Sequence, residues 1–490
     1  MIHDLKPYPV YKDSGVPWLG QVPEHWEVKR LKSCLSSIES GAREQSEAGP
    51  ADGIPSLGGE HIGTEGQLLL KNMRYVTLPF FENLRKGVIK KDDVLLVKDG
   101  ATIGKTALVY KMPYSKCAVN EHVFIMRTLS NCLSAFLYHN IRSRGVQESI
   151  WQEVTGSAQP GLNSSFVKFV SLAIPPLPEQ SAIVRYLDHM DRRIRHYIHA
   201  KQKLIKLLEE QKQAIIHHAV TRGLDPNVKL KPSGVEWLGD VPEHWELIQL
   251  TRVLSSIEQG WSPVASEGEV KEDQWAVLTL SSVKKGIFYP RENKPLELSL
   301  EVPSNLEVKK GDFLLTRSNT RNLVGDVCVV EETRGKLILC DLIYRLRLDT
   351  TKLHPYFLMY QLLSSFGRGQ IEGDARGSSS TMVKISHGHI KRWNVVLPPL
   401  DEQMAIVNYL KNKSFEIEFA IIQCKKEINL IREYRTRLIS DVVTGKLDVR
   451  EAAASLPDEV EEPVVLEDES AEDGDNVENE LEDVSGEEEA

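Results

Sequence analysis

The sequence predicts a mixed α/β (α+β) fold built twice: two similar compact domains, each followed by one long helix, and then an acidic tail. Three observations predict it. A block of sequence recurs in register, short apolar runs alternate with turn residues, and two long stretches keep coiled-coil spacing.

The repeat places every later element. "SGVPWLGQVPEHWE" (14–27) returns 219 residues later as "SGVEWLGDVPEHWE" (233–246), and "LSSIE" (35–39) returns at 254–258 with the same offset. "LAIPPLPEQSAIVRYL" (172–187) pairs with "NVVLPPLDEQMAIVNYL" (394–410), and "TRGLD" (221–225) with "TGKLD" (444–448), now offset by 223. The variable stretches between these blocks, 41–171 and 260–393, share only scraps such as "IKKDDVLLV" (89–97) and "VKKGDFLLT" (308–316). Constant ends around a variable middle imply one scaffold carrying two different readers. The resulting divisions are 1–174, 175–225, 226–397, 398–450 and 451–490.

Within the variable stretches, "VLLV", "ALVY", "FLLT" and "DVCVV" sit between Gly, Asp, Asn and Pro, which reads as strands and turns. "SAFLYHNIRSRG" and "HPYFLMYQLLSSFGRG" each end at a glycine suited to a helix stop. From Pro178 to about Val220 the pattern changes. Ile183, Leu187, Met190, Ile194, Tyr197, Leu204, Leu208 and Ile215 follow four-three spacing, with Lys201 and Gln211 at the remaining seam positions. The second copy gives Ile406, Leu410, Ile417, Ala420, Ile431, Tyr434 and Leu438, broken at Lys413 and Glu427. Each helix is the natural partner of the other. About 43 residues make a rod of ~65 Å, longer than the ~34 Å of one DNA turn. Pro175, Pro176 and Pro178 precede the first helix, where the ring costs no hydrogen bond.

Composition bounds the setting. No run of eighteen apolar residues occurs, the N-terminus lacks a signal-peptide layout, and six scattered cysteines form no C-x-x-C pair, so a cytoplasmic chain with reduced thiols is expected. Of 70 acidic residues, eighteen fall in 451–490, which holds no Lys or Arg. The remaining body has 60 basic against 52 acidic residues, a charge of +8 that permits nucleic-acid contact. The acidic tail has the composition of a disordered segment.

Motifs that would signal catalysis fail on spacing. "DGATIGKT" (99–106) leaves three residues between Gly100 and Gly104 where a nucleotide loop needs four, and reads as a turn after a strand. "HWEVK" holds Glu27-x-Lys29, a fragment of many nuclease sites, without a second clustered carboxylate. The Glu-His-Trp shared by both copies reads as structural. His217-His218 and His387-x-His389 lack a third ligand and read as surface or capped histidines. What remains is three polar loops: "TGSAQPGLNSS" (155–165), "DARGSSSTMVK" (374–384) and "LLTRSNTRN" (314–322). Ser157, Gln159, Asn163, Arg317, Asn319, Arg321, Asn322, Arg376 and Ser378 are the residue types that meet phosphates and base edges, and equally those of plain solvated loops.

"YKDSGVPWLGQVPEHWEVKRL" opening one unit, "SGVEWLGDVPEHWE" opening the other, and "PPLPEQ" and "PPLDEQ" heading the two long helices make the chain similar to the specificity subunit of type I restriction-modification systems, over residues 11–450. The acidic tail departs from that pattern. The resemblance implies two target-recognition domains (1–174 and 226–397), each reading half of a split, asymmetric DNA site. It implies two antiparallel spacer helices (175–225 and 398–450) and a pseudo-twofold arrangement on which two adenine methyltransferase subunits dock. Restriction/translocase subunits would join them. No cofactor is then bound by this chain: S-adenosylmethionine, ATP and Mg belong to the partner subunits, and the chain itself is not an enzyme. On this reading Lys98 and Lys105 contact phosphates. The rival readings are a coiled-coil scaffold that does not bind DNA and a self-contained nuclease or methyltransferase with divergent motifs.

Overall fold

The computed structural model describes residues 5–44, 48–156, 160–235, 237–264, 268, 270–271, 273–297, 301–376 and 382–457. The tail from 458, expected above to be disordered, lies outside them, as do Ser157, Gln159 and Ser378. The chain packs as two units, Met1–Arg195 with Arg432–Ala490, and His196–Ile431.

In unit 1 a four-stranded antiparallel sheet runs in the order Leu35–Ser40, Val123–Thr128, Val94–Val97, Thr106–Leu108. The apolar run of "VLLV" has a simple cause. Side chains alternate across a strand, so Val94 and Leu96 enter one core while Leu95 and Val97 enter another on the opposite face, all fully buried. Helices Ser134–Ile141 and Arg144–Gln152 supply Phe136, Leu137, Val146 and Ile150 to the first of these cores. The second core lies under a smaller sheet of Arg74–Val76, Ile54–Leu57 and Ala118–Val119.

Unit 2 contains the same set. Its large sheet is ordered Leu254–Gln259, Ile343–Leu348, Phe313–Thr316, Val327–Val329, and its small one Asn293–Pro295, Ala276–Leu278, Leu337–Ile338. Phe313 and Leu315 face one core and Leu314 the other.

The long helices are α1, Leu177–Arg222, and α2, Leu400–Val443. Each ends at a glycine that no other residue could replace cheaply. Gly223 and Gly445 have φ of +76° and +77°, and a Cβ on Gly445 would fall 2.4 Å from Pro23 Cδ. Both units draw core residues from both helices. Unit 1 takes Ile183 and Leu187 of α1 with Leu438 and Val442 of α2, then Val449 and Ala453 beyond it. Unit 2 takes Ile216 and Val220 of α1 with Ile406 and Leu410 of α2. The packing units are therefore wider than the divisions at 1–174 and 226–397.

Partner residues rise along α1 as they fall along α2, so the helices run antiparallel. In unit 1 Arg435 Nε donates to Asp191 Oδ1 at 2.6 Å, and in unit 2 Lys201 Nζ meets Glu427 Oε2 at 2.7 Å while Lys212 pairs with Glu418. The expected seam needs correction at its middle. Tyr197 and Leu204 are 42% and 40% exposed, while Ile198 and Ile216 are buried; on α2 the buried positions are Ile421, Cys424 and Ile428 instead of Ala420 and Ile431. Apolar residues occur on both sides of the true line here, so counting by fours and threes slips by one residue. Two of the seam's polar breaks, Lys201 and Glu427, meet each other.

Candidate nucleic-acid interface

The constant blocks meet at the start of each long helix. In unit 1 the buried Trp26 donates its indole N–H to Glu179 Oε1 at 3.0 Å, and His25 Nε2 lies 2.8 Å from Glu179 Oε2. Beside it, the fully buried Gln180 accepts from Leu133 N (2.9 Å) and donates to the carbonyls of Asn131 (3.0 Å) and Pro175 (2.9 Å). Unit 2 repeats both devices. Trp245 donates to Glu402 (3.1 Å) with His244 at 2.8 Å, and Gln403 accepts from His354 N (2.8 Å) and donates to Lys352 O (2.8 Å) and Pro398 O (2.9 Å). "PEHWE" and "PPLxEQ" are thus two halves of one lock that seats a helix on its sheet. Glu27, the nuclease-like fragment, pairs locally with Lys29.

Function must then lie where the constant residues do not. In unit 2 the residue leaving the central strand is Arg317. Its guanidinium stands 5.8 Å from the Tyr344 ring centroid, and Nη1 donates to Asp341 O at 3.4 Å. Its carbonyl accepts from Ile385 N at 2.9 Å, which draws in the loop sequence reasoning had singled out. Arg376 and Lys384 are paired through their backbones, both side chains exposed. Arg317, Arg376 and Lys384, with Tyr344, Ser386 and His387, line an open cleft of about 510 Å³. Burial, with Lys391 and Arg317 nearby, holds the His387 imidazole below its usual value, so it is neutral at pH 7. Its ring packs on Tyr344 at 4.6 Å, and its Nε2 is buried without a hydrogen-bond partner among the described residues. Three cations and a flat ring lining one cleft suit a phosphate backbone and an adjacent base edge.

Unit 1 places the same parts at the same strand end. Lys98 follows "VLLV", its Nζ stands 5.6 Å from the Phe124 centroid, and its carbonyl accepts from Leu162 N at 2.8 Å. Asn163 caps the short helix Ser164–Lys168 through Ser165 N, as Ser386 caps His387–Arg392 through His389 N. The charge differs. Lys98 Nζ is bound to Asp99 Oδ2 at 2.6 Å, and that oxygen also meets His122 Nδ1 at 3.0 Å. Partial burial pushes the Asp99 carboxyl up, but the bonds from Lys98 and His122 outweigh it and hold it below the usual range.

Lys105 is half-buried in the loop "DGATIGKT", which joins Val94–Val97 to Thr106–Leu108 as a hairpin with φ of +83° at Gly100 and +94° at Gly104. No helix follows to complete a phosphate loop. Asn319 spends its Oδ1 on Thr320 N (2.8 Å), and the carbonyl of exposed Asn322 accepts from Arg368 (3.1 Å). Arg321 is exposed; these three stand outside the cleft lining, so among the described residues only Arg317 and Arg376 of those named line the cleft together. His389 sits in the capping box and His217 Nδ1 bonds Ser365 Oγ at 2.8 Å. Sequence reasoning missed Tyr344, Lys384 and His387. Tyr344 was findable, because it stands in the second copy where Phe124 stands in the first.

The chain thus combines two mixed α/β units, each with a cation beside an aromatic ring, and two long helices. Residues 23–207 match the family described as type I restriction modification DNA specificity domain. The chain is 25% identical over 441 residues to the putative type I restriction enzyme MjaX specificity subunit of Methanocaldococcus jannaschii, covering 88% of this chain and 96% of that one. It is 23% identical over 402 residues to the type I restriction enzyme EcoKI specificity subunit of Escherichia coli K12, covering 79% and 82%. A solved chain described under complex assembly and conformational transition of the type I R-M system shares the fold, with TM-score 0.63 at 18% identity over 87% of this chain and 99% of that one. Over most of its length the chain is thus similar to type I restriction enzyme specificity subunits. Among the described residues no helix is long and apolar enough to cross a membrane.

Proposed function

We propose that this chain is the DNA-reading, non-catalytic subunit of a type I restriction-modification complex acting in the cytoplasm. Each unit reads one half of a split, asymmetric site. The observation that carries this is the recurrence of a cation over an aromatic ring, Lys98 on Phe124 and Arg317 on Tyr344, at one strand end inside units alike in framework but different in variable sequence. Different side chains on one backbone frame are what two different half-sites require.

The repeated locks at Glu179 and Glu402 support an internal, pseudo-twofold repeat on which two adenine methyltransferase subunits dock, with restriction/translocase subunits added. S-adenosylmethionine, ATP and Mg would be held by those partners. α1 and α2 set the unspecified spacer between half-sites.

The test is single-molecule mapping of N6-methyladenine in cells carrying this chain with its methyltransferase partner, against cells lacking the chain. A split motif with a fixed spacer that vanishes without the chain is expected. Methylation persisting without it refutes the reading.

A further inference from the structure

The reading sites of the two units share a backbone frame and differ in chemistry. Lys98 N donates to His122 O at 2.9 Å and Arg317 N to Leu342 O at 2.7 Å, while the carbonyls of Lys98 and Arg317 accept from Leu162 N at 2.8 Å and Ile385 N at 2.9 Å. Asp99 then bridges to Gly161, as Ser318–Asn319 pairs with Val383–Lys384. The frame sets Lys98 level with Arg317, Asp99 with Ser318 and Phe124 with Tyr344, each at the same step along its strand.

On this frame unit 2 offers donors. Arg317, Arg376 and Lys384 line its cleft, and Ser318 is fully buried with its hydroxyl spent on Val383 O at 3.1 Å. Unit 1 has an acid in place of that serine. Asp99 is 29% exposed, and its two hydrogen bonds, from Lys98 Nζ at 2.6 Å and His122 Nδ1 at 3.0 Å, both end on Oδ2. Oδ1 accepts no hydrogen bond among the described residues. A Cβ on Gly161 would stand 3.1 Å from it, so the glycine leaves this oxygen uncovered.

Partial burial raises the Asp99 carboxyl, but Lys98 and His122 outweigh it, so the group is ionised at pH 7 and can only accept. In the major groove guanine and thymine present acceptors, adenine an acceptor beside its amino group, and cytosine an amino group with no acceptor. Cytosine alone gives the carboxylate a donor without setting a lone pair against its charge. The other bases leave that charge desolvated and unpaired, which penalises them.

We propose that Asp99 selects a cytosine in the half-site read by unit 1, its Oδ1 accepting from the cytosine N4 amino group in the major groove. Lys98 and His122, both on Oδ2, orient the carboxylate for this contact. The proposal rests on the DNA-reading function above and adds the base that one side chain chooses.

The test maps N6-methyladenine in cells carrying the full chain, wild type or with Asp99→Asn or Asp99→Ala, together with its methyltransferase partner. The wild-type motif should hold a C·G pair at one position of one half-site. Asp99→Asn, whose amide donates and accepts as adenine requires, should move that position toward A·T by about tenfold, and Asp99→Ala should make it degenerate. The other half-site and the spacer should not change. An unchanged motif in both variants overturns the proposal and leaves Asp99 as the counter-ion of Lys98, whose release raises affinity for all sequences alike. A change at a pair other than C·G, or changes in both half-sites, overturns it too. So does loss of methylation at every sequence in both variants, because Asp99 would then hold the unit together instead of choosing a base. Wild-type methylation that persists without the chain is a different failure, which defeats the DNA-reading function itself and this proposal with it.

Discussion

Replacing Glu179 with alanine removes the acceptor for two donors of unequal burial, and the structure sets the size of the effect. Trp26 is fully buried and the Glu179 side chain only 6% exposed, so the indole N–H would be left unpaired, at a cost of about 1–3 kcal/mol. His25 is 45% exposed, so water can replace its bond and the loss there is about 0.5–1 kcal/mol. The sum is about 1.5–4 kcal/mol for unit 1, and the full burial of the indole places it in the upper part of that range, at about 2–4 kcal/mol. Glu402, the counterpart in unit 2, is 30% exposed, and water entry limits Glu402→Ala to about 1–2 kcal/mol. A single melting curve does not assign a loss of stability to one of two packing units, so hydrogen exchange, which reports peptide by peptide, is the suitable assay. Peptides from 20–30 and 171–187 should exchange roughly 30- to 700-fold faster in Glu179→Ala, with peptides from 240–249 and 394–410 unchanged. Glu179→Gln keeps an acceptor for Trp26 and should stay within about 1 kcal/mol. Equal effects of the two alanine variants, or less than fivefold for Glu179→Ala, would refute the assignment of the lock to buried indole pairing.

Four further outcomes are expected. Arg317→Ala should lose about 1–3 kcal/mol of discrimination at one position of one half-site, read by binding selection, and unchanged sequence preference refutes it. Replacing Lys98 and Lys105 together should flatten the dependence of affinity on salt, whereas Asp99→Asn frees the Lys98 charge and should steepen that slope by about one unit; a slope unmoved in both removes Lys98 from the interface. Burial raises the Asp191 carboxyl, but Arg435 and Arg142 outweigh it and hold it below the ordinary range. Its stabilisation is therefore present above the unfolded value near ~3.9 and lost as pH falls through the lower folded value. Asp191→Asn should cost unit 1 about 3–5 kcal/mol at pH 7 and flatten its acid limb below about pH 4, measured by exchange. Inserting four residues into both α1 and α2 should lengthen the spacer in the methylation motif and leave the half-sites alone; a change inside a half-site refutes the spacer role.

Much of this architecture was legible because it repeats. Two copies of "PEHWE" and of "PPLxEQ" announced a shared scaffold, but that these blocks meet, with Glu179 bonded to Trp26 and Glu402 to Trp245, shows only in the coordinates. The run "VLLV" betrayed a strand, while the core on each of its faces emerged only from the structure. The helix seam was legible in kind but not in phase, because Tyr197 and Ile198 are both apolar and only their partners choose between them. The interface was least legible. Arg317 could be named from its loop, but the Tyr344 ring, the His387 nitrogen and the Asp99 carboxylate that neutralises Lys98 act through contacts between strands and loops far apart in sequence.

The sharing of unit 1 between both ends of the chain has a consequence for biosynthesis. Its core closes only when Leu438, Val442, Val449 and Ala453 arrive, about 240 residues after Arg195 has left the ribosome. At ~5–20 residues per second, the N-terminal half waits roughly 10–50 s with Trp26 and its neighbours uncovered. Unit 2, contiguous from His196 to Ile431, can close first. The stretch from residue 432 therefore completes the unit to which residues 1–195 belong, and a nascent chain stalled before residue 432 would offer a chaperone one finished unit and one open core.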